Sequence, residues 1–410
     1  MHYQYHTLSN GIRIIHRKTT HEVAHCALMV NTGSRDEKEH ENGIAHLIEH
    51  MIFKGTTKRK AYHVLSRMEH VGGELNAFTT KEETCIHSSF TKRHYERVLE
   101  LFSDVAFHAV FPASELEKEK EVILDEINAY RDNPSEEIFD EFENLVFNGH
   151  PIGRNILGTA ENLPLLSRND MFRFISSNYS TSKMVISSVG NIEFERLIKL
   201  AARHFGTVTN KALEQNRAQF ENYSAKNEKT DKQSYLSHCM IGNVAYDRKH
   251  PRKHALILLN NILGGPGLNS RLYLNIREKY GFTYAIESHF HSYSDTGLFS
   301  VYLGTDPRTV DKTIMLVVKE LNKLRNQQLG SLQLHRAKQQ LIGQLAISFE
   351  SGQTETLSIA RSHMHFNRVD TMQDVVKKIE NISTTDILET ANDIFTPEKL
   401  STLIYNGKEY

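Results

Sequence analysis

Two histidines and a glutamate lie close together in the stretch GIAHLIEHMIF, residues 43–53, whose other side chains are mostly apolar. Residues i and i+4 of a helix share a face, so His46 and His50 can direct two imidazoles at one point, as zinc requires. Glu49 comes one position before His50, where it can border the metal and act as general base to a bound water. The apolar positions predict a helix packed into a core, with Asn42 as its N-cap.

A catalytic zinc site needs a third protein ligand, usually His, Glu or Asp. The helix predicted for residues 114–130 is rich in acidic residues, and Glu119 and Glu126 are seven positions apart on one face, beside its apolar stripe. A carboxylate at such a position must pair with a cation or bind a metal, and the spacing leaves both alternatives open. Because the chain has 23 histidines, an HxxEH motif can arise by accident. Its context in the chain therefore has to decide whether it is a metal site.

The strands and helices predicted around these side chains indicate an α+β fold, in which a mostly antiparallel sheet packs with helices. The first residues predict a hairpin with Asn10-Gly11 at its turn. Helices are predicted at residues 43–55, 60–71 and 92–107. A length of 410 residues fits two or three domains.

The net charge of −1 and the pI of about 7.1 exclude an overall field that would attract nucleic acid or an anionic membrane. The sequence contains no apolar run of about 18 residues, the length that predicts a membrane span, and its first 20 residues lack the apolar core of a signal peptide. We therefore expect a cytoplasmic protein. The three cysteines are widely spaced and form no CxxC, which favours buried thiols over disulfides.

The second half of the chain repeats the first, with three matching segments at offsets of 213, 218 and 216 residues. The repeat predicts duplicated domains at 1–212 and 233–410, with a polar linker at 213–232. Shifted by these offsets, His46, Glu49 and His50 fall near three apolar residues, and the two acidic positions of the long helix fall on neutral ones. The counterparts are Leu259, Ile262, Leu263, Ala337 and Gln344. The second copy is therefore predicted to have lost the site.

The motif HxxEH, followed by a glutamate 76 positions after its second histidine, resembles that of the pitrilysin or insulinase-like metallopeptidases. The chain length resembles the mitochondrial-processing-peptidase-like branch. The resemblance implies one zinc ion per chain, held by His46, His50 and Glu126. It also implies Glu49 as the catalytic base and Glu119 as a supporting residue.

Other segments carry the resemblance along most of the chain. GELNAFTTKEET (73–84) is similar to the family's strand beside the zinc helix, which implies that Asn76 and Ala77 pair with the substrate backbone. GHPIGRNILGT (149–159) is similar to the family's HPxGxxxLG segment.

The segment GGPGLNSRLYLNIREKYGFTYAIES (264–288) resembles the family's glycine-rich loop with the helix and strand that follow it. The resemblance implies that Arg277 and Tyr284 bind the substrate backbone and stabilise the oxyanion. From the residues alone, a surface ion pair with Glu278 and simple strand packing are the alternative interpretations.

The expected function is that of a zinc endopeptidase that hydrolyses extended peptides inside a chamber built by two chains, with a homodimer favoured over a heterodimer. The motifs GxSxG and Walker A are absent from the sequence. Two alternatives remain: a non-catalytic scaffold of the same fold, like the core subunits of a respiratory complex, and a structural zinc protein. A structural zinc site requires four protein ligands, and no cysteine pair is spaced to complete the set.

Overall fold

The computed structural model describes residues 2–210 and 217–408. The elements up to residue 210 are β1 (Gln4–Thr7), β2 (Arg13–Lys18), β3 (Val23–Val30), α1 (Ile44–Met51), α2 (Ala61–Glu69), β4 (Glu74–Thr79), β5 (Thr84–Thr91), α3 (Tyr95–Phe107), α4 (Ala113–Arg131), α5 (Pro134–Val146), α6 (Arg168–Asn178), β6 (Met184–Gly190) and α7 (Phe194–Phe205).

The elements after residue 217 are β7 (Asn227–Asp231), β8 (Ser237–Ala245), α8 (Lys253–Gly264), β9 (Thr283–Ser292), β10 (Gly297–Thr305), α9 (Val310–Asn326), α10 (Ser331–Phe349), α11 (Gly352–Phe366), α12 (Met372–Glu380), α13 (Thr384–Ile394) and β11 (Ser401–Asn406). A π-helical turn, Tyr273–Glu278, precedes β9.

The strands form two sheets that are mostly antiparallel. The first has the order β1-β2-β6-β3-β5-β4 and the second the order β7-β11-β8-β10-β9. Each contains one parallel pair, β2 with β6 and β7 with β11. The predicted α+β class, with two similar sheets each packed with helices, is confirmed. The predicted hairpin is also present, with Thr7 opposite Arg13 and Gly11 at a φ of 93° in the turn.

The chain packs into two compact units, and neither is one continuous stretch of sequence. The first unit comprises Met1–Ile127, Arg154–Arg217 and Ala346–Met372, and the second comprises Asn128–Gly153, Ala218–Leu345 and Gln373–Tyr410, in their described parts. Helix α5 from the first half of the sequence therefore packs on the second sheet, and helix α11 from the second half packs on the first sheet.

The domain boundaries that the repeat predicts stay a prediction: two domains at 1–212 and 233–410, with a linker between them. Residues 213–216 of the predicted linker lie outside the described residues. Its later part, Asn227–Asp231, forms the edge strand β7 beside β11. This segment is exposed along its whole length, which explains why its polar composition resembled that of a linker.

The first sheet and its helices enclose the core that carries the short helix α1. Strand β3 is buried over Cys26–Val30 because β5 and β6 flank it in the sheet and helices such as α11 pack on the sheet. Helix α1 buries Ile44, Leu47, Ile48 and Met51 completely in this core. Since about 1.5–3 kcal/mol accompanies the burial of each such side chain, the orientation of α1 is strongly determined.

Candidate metal centre

Helix α1 presents its two histidines toward one side, as the spacing predicts. The imidazole rings of His46 and His50 have centroids 4.6 Å apart and meet edge to face. His46 is buried, whereas His50 is partly open to solvent. The burial that fixes the apolar side of α1 therefore also fixes the direction of both rings.

Helix α4 brings Glu126 to the same place. Glu126 Oε2 lies 3.9 Å from His46 Nε2 and 3.8 Å from His50 Nε2. One ligand atom from each of the three residues lies within 4.8 Å of the others. Among the described residues, this is the group of histidine, cysteine and acidic side chains that is close enough to hold a metal ion.

The donor set of two imidazole nitrogens and one carboxylate oxygen fits zinc, which binds such ligands at about 2.0–2.2 Å. At those bond lengths the ligand atoms of a tetrahedral site lie roughly 3.4 Å apart, slightly closer than the observed 3.8 and 3.9 Å. Burial and the neighbouring His50 lower the pKa of His46 to about 4, so its ring is neutral at neutral pH and able to bind a metal. Three protein ligands leave one position open, as in a catalytic site.

Glu119 supports His50 from the side opposite to the ligand atom. Its Oε2 lies 3.0 Å from His50 Nδ1, and its Oε1 lies 2.5 Å from Lys54 Nζ. A carboxylate that accepts the Nδ1 proton selects the tautomer in which Nε2 is free for the metal. The structure thereby gives the two acidic residues of α4 different positions, Glu126 at the ligand atoms and Glu119 behind His50.

Glu49 lies beside this cluster with one oxygen, Oε2, shielded from solvent and without a hydrogen-bond partner among the described residues. Burial raises the pKa of Glu49, and the charge of Glu126 adds to the rise, whereas Thr79 and the charge of His50 oppose it. A half-buried carboxylate of this kind, next to an open coordination position, can accept a proton from water.

Glu37 holds the N-terminus of α1, a contact that the sequence analysis did not predict. Its Oε2 accepts hydrogen bonds from Gly43 N at 3.0 Å and Asn42 Nδ2 at 2.9 Å, and its Oε1 accepts one from Ala45 N at 2.9 Å. Burial raises the pKa of Glu37 to about 7, and these three donors and the charge of Arg154 oppose the rise. A carboxylate bound to the first amides of a helix also interacts favourably with the helix dipole.

The prediction of Asn42 as the N-cap of α1 is wrong. The N-cap is Gly43, at a φ of 96°, a left-handed conformation that suits glycine. Asn42 instead donates to Glu37 and to the backbone oxygen of Asn155. An acidic residue several positions before a histidine helix, with a glycine at the turn, is the signal in the sequence that could have indicated Glu37.

Asn76 and Ala77 lie on strand β4 at the edge of the first sheet. They pair with His87 and Ile86 of β5 on one side, and no described strand pairs with the other edge of β4. Helix α1 packs against β4, so the open edge belongs to the same part of the unit as the histidine pair. Their role in binding a substrate stays a prediction.

Arg277 and Tyr284 belong to the second unit. Arg277 lies in the π-helical turn, where it donates to the hydroxyl of Tyr273 and stacks over that ring at 4.7 Å, with Glu278 at 3.6 Å. The side chain of Tyr284, on β9, is 80% exposed. The ion pair with Glu278 agrees with the simpler interpretation of Arg277, and the roles implied by the resemblance stay predictions.

Across residues 2–210 and 217–408, none of the helices combines the length and the apolar character needed to cross a membrane. The three cysteines are free and buried, as predicted.

A two-sheet α+β fold in which an HxxEH helix meets a glutamate from a second helix is typical of metallopeptidases with the inverted zinc motif. The family described as "Insulinase (Peptidase family M16)" matches residues 13–160, and "Peptidase M16 inactive domain" matches residues 166–341. The chain is 30% identical over 403 residues to the uncharacterized zinc protease YmxG of Bacillus subtilis (strain 168), covering 97% of each chain.

A second relative, an uncharacterized zinc protease of Rickettsia bellii (strain RML369-C), is 30% identical over 396 residues, covering 92% of this chain and 91% of the relative. Among solved structures, a protease from Helicobacter pylori has a TM-score of 0.92 at 22% identity, covering 99% of each chain. The peptidase M16 inactive domain from Pseudomonas fluorescens has a TM-score of 0.93 at 20% identity, covering 100% of this chain and 98% of the other.

The chain belongs to the insulinase family, peptidase family M16. The resemblance stated from the HxxEH motif and its distant glutamate is thereby confirmed. The match of residues 166–341 to a domain described as inactive also agrees with a second copy that lacks the histidine pair.

Proposed function

We propose that this protein is a zinc-dependent endopeptidase that hydrolyses extended peptides or unfolded segments. The observation that supports this proposal is the convergence of His46, His50 and Glu126 on one point, with Glu49 beside them. The naming of the relatives as zinc proteases supports the choice of metal and of reaction.

In the proposed reaction, His46, His50 and Glu126 hold one zinc ion. Zinc, when bound, polarises the scissile carbonyl and lowers the pKa of water to about 7. Glu49 accepts the proton of the attacking water and returns it to the leaving amine. Glu119 holds the ring of His50 in the orientation that directs Nε2 at the metal.

The open edge of β4 suggests how a peptide binds. An extended segment can add to this edge as a further strand, through backbone hydrogen bonds at Asn76 and Ala77. Because such pairing requires a β conformation, folded proteins should be poor substrates and unfolded segments good ones. Cleavage of a quenched peptide in its linear and in a helix-stapled form measures this preference.

We further propose that two identical chains build the complete site, with Arg277 and Tyr284 of one chain serving the metal centre of the other. A mixing experiment tests this arrangement. If the proposal holds, Glu49→Gln and Arg277→Ala are each inactive alone, and a mixture of the two recovers about a quarter of wild-type activity, because half of the random dimers contain one complete site. No recovery in a mixture of differently tagged chains, in which native mass spectrometry detects mixed dimers, would contradict the exchange.

The experiment that tests the function itself is Glu49→Gln in the zinc-loaded protein. The loss of a general base predicts a decrease in kcat by about 10²–10⁴ on a quenched peptide, with zinc still bound at one ion per chain. Glu121→Gln, which replaces an exposed carboxylate on α4, is the control with the same charge change. Full activity of Glu49→Gln would refute the proposed base.

Metal analysis separates this proposal from the alternative of a non-catalytic scaffold. The endopeptidase should bind about one zinc ion per chain, lost on substitution of His46 or His50 by alanine. A scaffold would bind none, and it would hydrolyse no peptide at any zinc concentration.

A further inference from the structure

The second unit contains a cavity where the repeat places the counterpart of the metal centre. Helices α4 and α10 have the same length, 19 residues, and begin 218 positions apart, which makes them equivalent elements of the repeat. Glu126 of α4 then corresponds to Gln344 of α10. Gln344 Oε1 accepts a hydrogen bond of 2.6 Å from Asn261 of α8.

Asn261 therefore occupies the place of the histidine pair in the second unit, because it lies beside Gln344 as His46 and His50 lie beside Glu126. Asn261 lies two positions after Leu259, the counterpart of His46 expected from the sequence. An amide pair has replaced the imidazole and the carboxylate.

This cavity, about 200 Å³ in volume, has both polar and apolar side chains in its lining. Ile262, Leu329 and Ala337 are the apolar residues of the lining. A volume of this size is below the roughly 300–1,000 Å³ of sites for drug-sized ligands. It suits a single small group, such as one residue at the end of a chain.

The polar side chains of the lining offer hydrogen-bond donors to an anion. Gln340 Oε1 accepts from Asn269 Nδ2 at 2.8 Å, which leaves Gln340 Nε2 as a donor. A side chain at Gly267 would collide with this amide, since its Cβ would lie 2.5 Å from Gln340 Nε2. The hydroxyl of Ser270, a residue only 4% exposed, is a further donor.

The charge of the cavity comes from Arg336. Arg271, the other arginine in the lining, is bound through Nε and Nη2 to Glu320. Arg336 is exposed and has no ion-pair partner in the part of the chain that the structure describes. Among the described residues that line the cavity, none carries a carboxylate. A guanidinium with free donors binds a carboxylate through two parallel hydrogen bonds.

We propose that this cavity binds the C-terminal carboxylate of a peptide whose last residue is apolar. The carboxylate pairs with Arg336 and the amide of Gln340, and the last side chain contacts Ile262 and Leu329. The choice of a peptide as the ligand rests on the proposed peptidase function. The apolar residues of the lining distinguish this ligand from phosphate, whose oxygens find no partner beside them.

Calorimetry with N-acetyl-leucine, which represents a peptide terminus, tests the proposal on the zinc-loaded protein. N-acetyl-leucine should bind at least about tenfold more tightly than N-acetyl-leucinamide, because the amide lacks the charge that strengthens the hydrogen bonds. Arg336→Gln should remove this preference. Lys319→Gln, which deletes an exposed charge of the same unit outside the cavity, should leave it unchanged.

Ala337→Glu gives a second test, because it places a carboxylate in the cavity at the position equivalent to Glu119. It should abolish binding of N-acetyl-leucine, with the melting temperature showing that the variant is folded. Equal affinities of the acid and the amide, or a preference that survives in Arg336→Gln, would overturn the proposal.

Two further ligands identify the source of the carboxylate. Free leucine should bind more weakly than N-acetyl-leucine, because it carries an ammonium group that the interior of a peptide lacks. Tighter binding of leucine would assign an amino-acid site, and displacement by phosphate at equal concentration would assign a site for any anion; either overturns the proposal. Neither measurement depends on hydrolysis, so a failure here leaves the Glu49→Gln test of the peptidase function intact.

Discussion

Replacement of Glu119 by glutamine separates a residue that positions the metal ligand from the ligands themselves. In the structure, Glu119 Oε2 accepts from His50 Nδ1 at 3.0 Å while Oε1 binds Lys54 Nζ at 2.5 Å. Glutamine keeps an oxygen at the same distance from His50 but removes the negative charge. The tautomer of His50 should be retained, with a weaker hydrogen bond.

The magnitude follows from the strength of that bond. A hydrogen bond to a charged group contributes about 1.5–3 kcal/mol and one between neutral groups about 0.5–1.5 kcal/mol. The difference, about 1–1.5 kcal/mol, corresponds to a decrease in zinc affinity of about tenfold. Lys54 is partly exposed, so water replaces its lost partner at little cost. Glu119→Ala removes the acceptor completely and should approach a hundredfold decrease.

Competition with a fluorescent zinc chelator measures the affinity of each variant. Glu121→Gln, on the exposed side of the same helix, is the control for charge and should bind zinc like the wild type. At saturating zinc, Glu119→Gln should recover most of its kcat, because the residue acts through His50 and not on the substrate. Equal zinc affinities of the two glutamine variants, or a loss of kcat that saturating zinc does not restore, would refute this reasoning.

Three further predictions concern the support of the site. Gly43→Ala should lower the free energy of unfolding by more than the roughly 1–2 kcal/mol that a left-handed conformation costs an alanine, because its Cβ would also lie 2.8 Å from a backbone oxygen. Urea unfolding measures this decrease, and an unchanged midpoint would contradict it. Glu37→Gln leaves one buried backbone amide at the start of α1 without its acceptor, which should lower the free energy of unfolding by about 1–3 kcal/mol and also weaken zinc binding. Thermal melts with and without zinc measure both effects, and a variant with wild-type stability and zinc affinity would contradict the prediction. Burial alone would raise the pKa of Glu83, but His365 and Arg361 outweigh it and lower the pKa to about 2, so about 3 kcal/mol of stability should be present above pH 4.5 and be lost as the pH falls toward 2. Urea unfolding of the zinc-free protein between pH 6 and pH 3 measures that loss, and Glu83→Gln with an equally steep decline would contradict the assignment.

Much of the local structure around the site could be predicted from the sequence. The apolar period of residues 43–53 indicated a buried helix, and the i, i+4 spacing indicated that both imidazoles face one way. These features depend on contacts within one or two helical turns, which the period of the α-helix determines. The α+β class followed from the same local patterns along the chain.

The third ligand could not be predicted from spacing alone. Glu119 and Glu126 share one face of α4, but seven residues of helix separate them by about 10 Å along the axis. Which of them reaches Nε2 depends on where α4 crosses α1, and only packing in the core decides that crossing. The cap by Glu37 was missed although it is local in sequence, because it depends on the left-handed turn at Gly43, which brings this carboxylate back onto the start of the helix.

The repeat shows the same division between local and tertiary information. The sequence indicated the duplication, and only the structure shows that Asn261 of α8 meets Gln344 of α10. The placement of α5 and α11 in the unit formed by the other half of the sequence was likewise decided by packing. By itself, the sequence determined the helices and the histidine pair, because these depend on residues close together in the chain, and it indicated the family through motifs whose order and spacing can be found without the fold. Only the tertiary structure decided which carboxylate meets the imidazoles and which holds them in place, because those contacts join residues that are 69 or more positions apart.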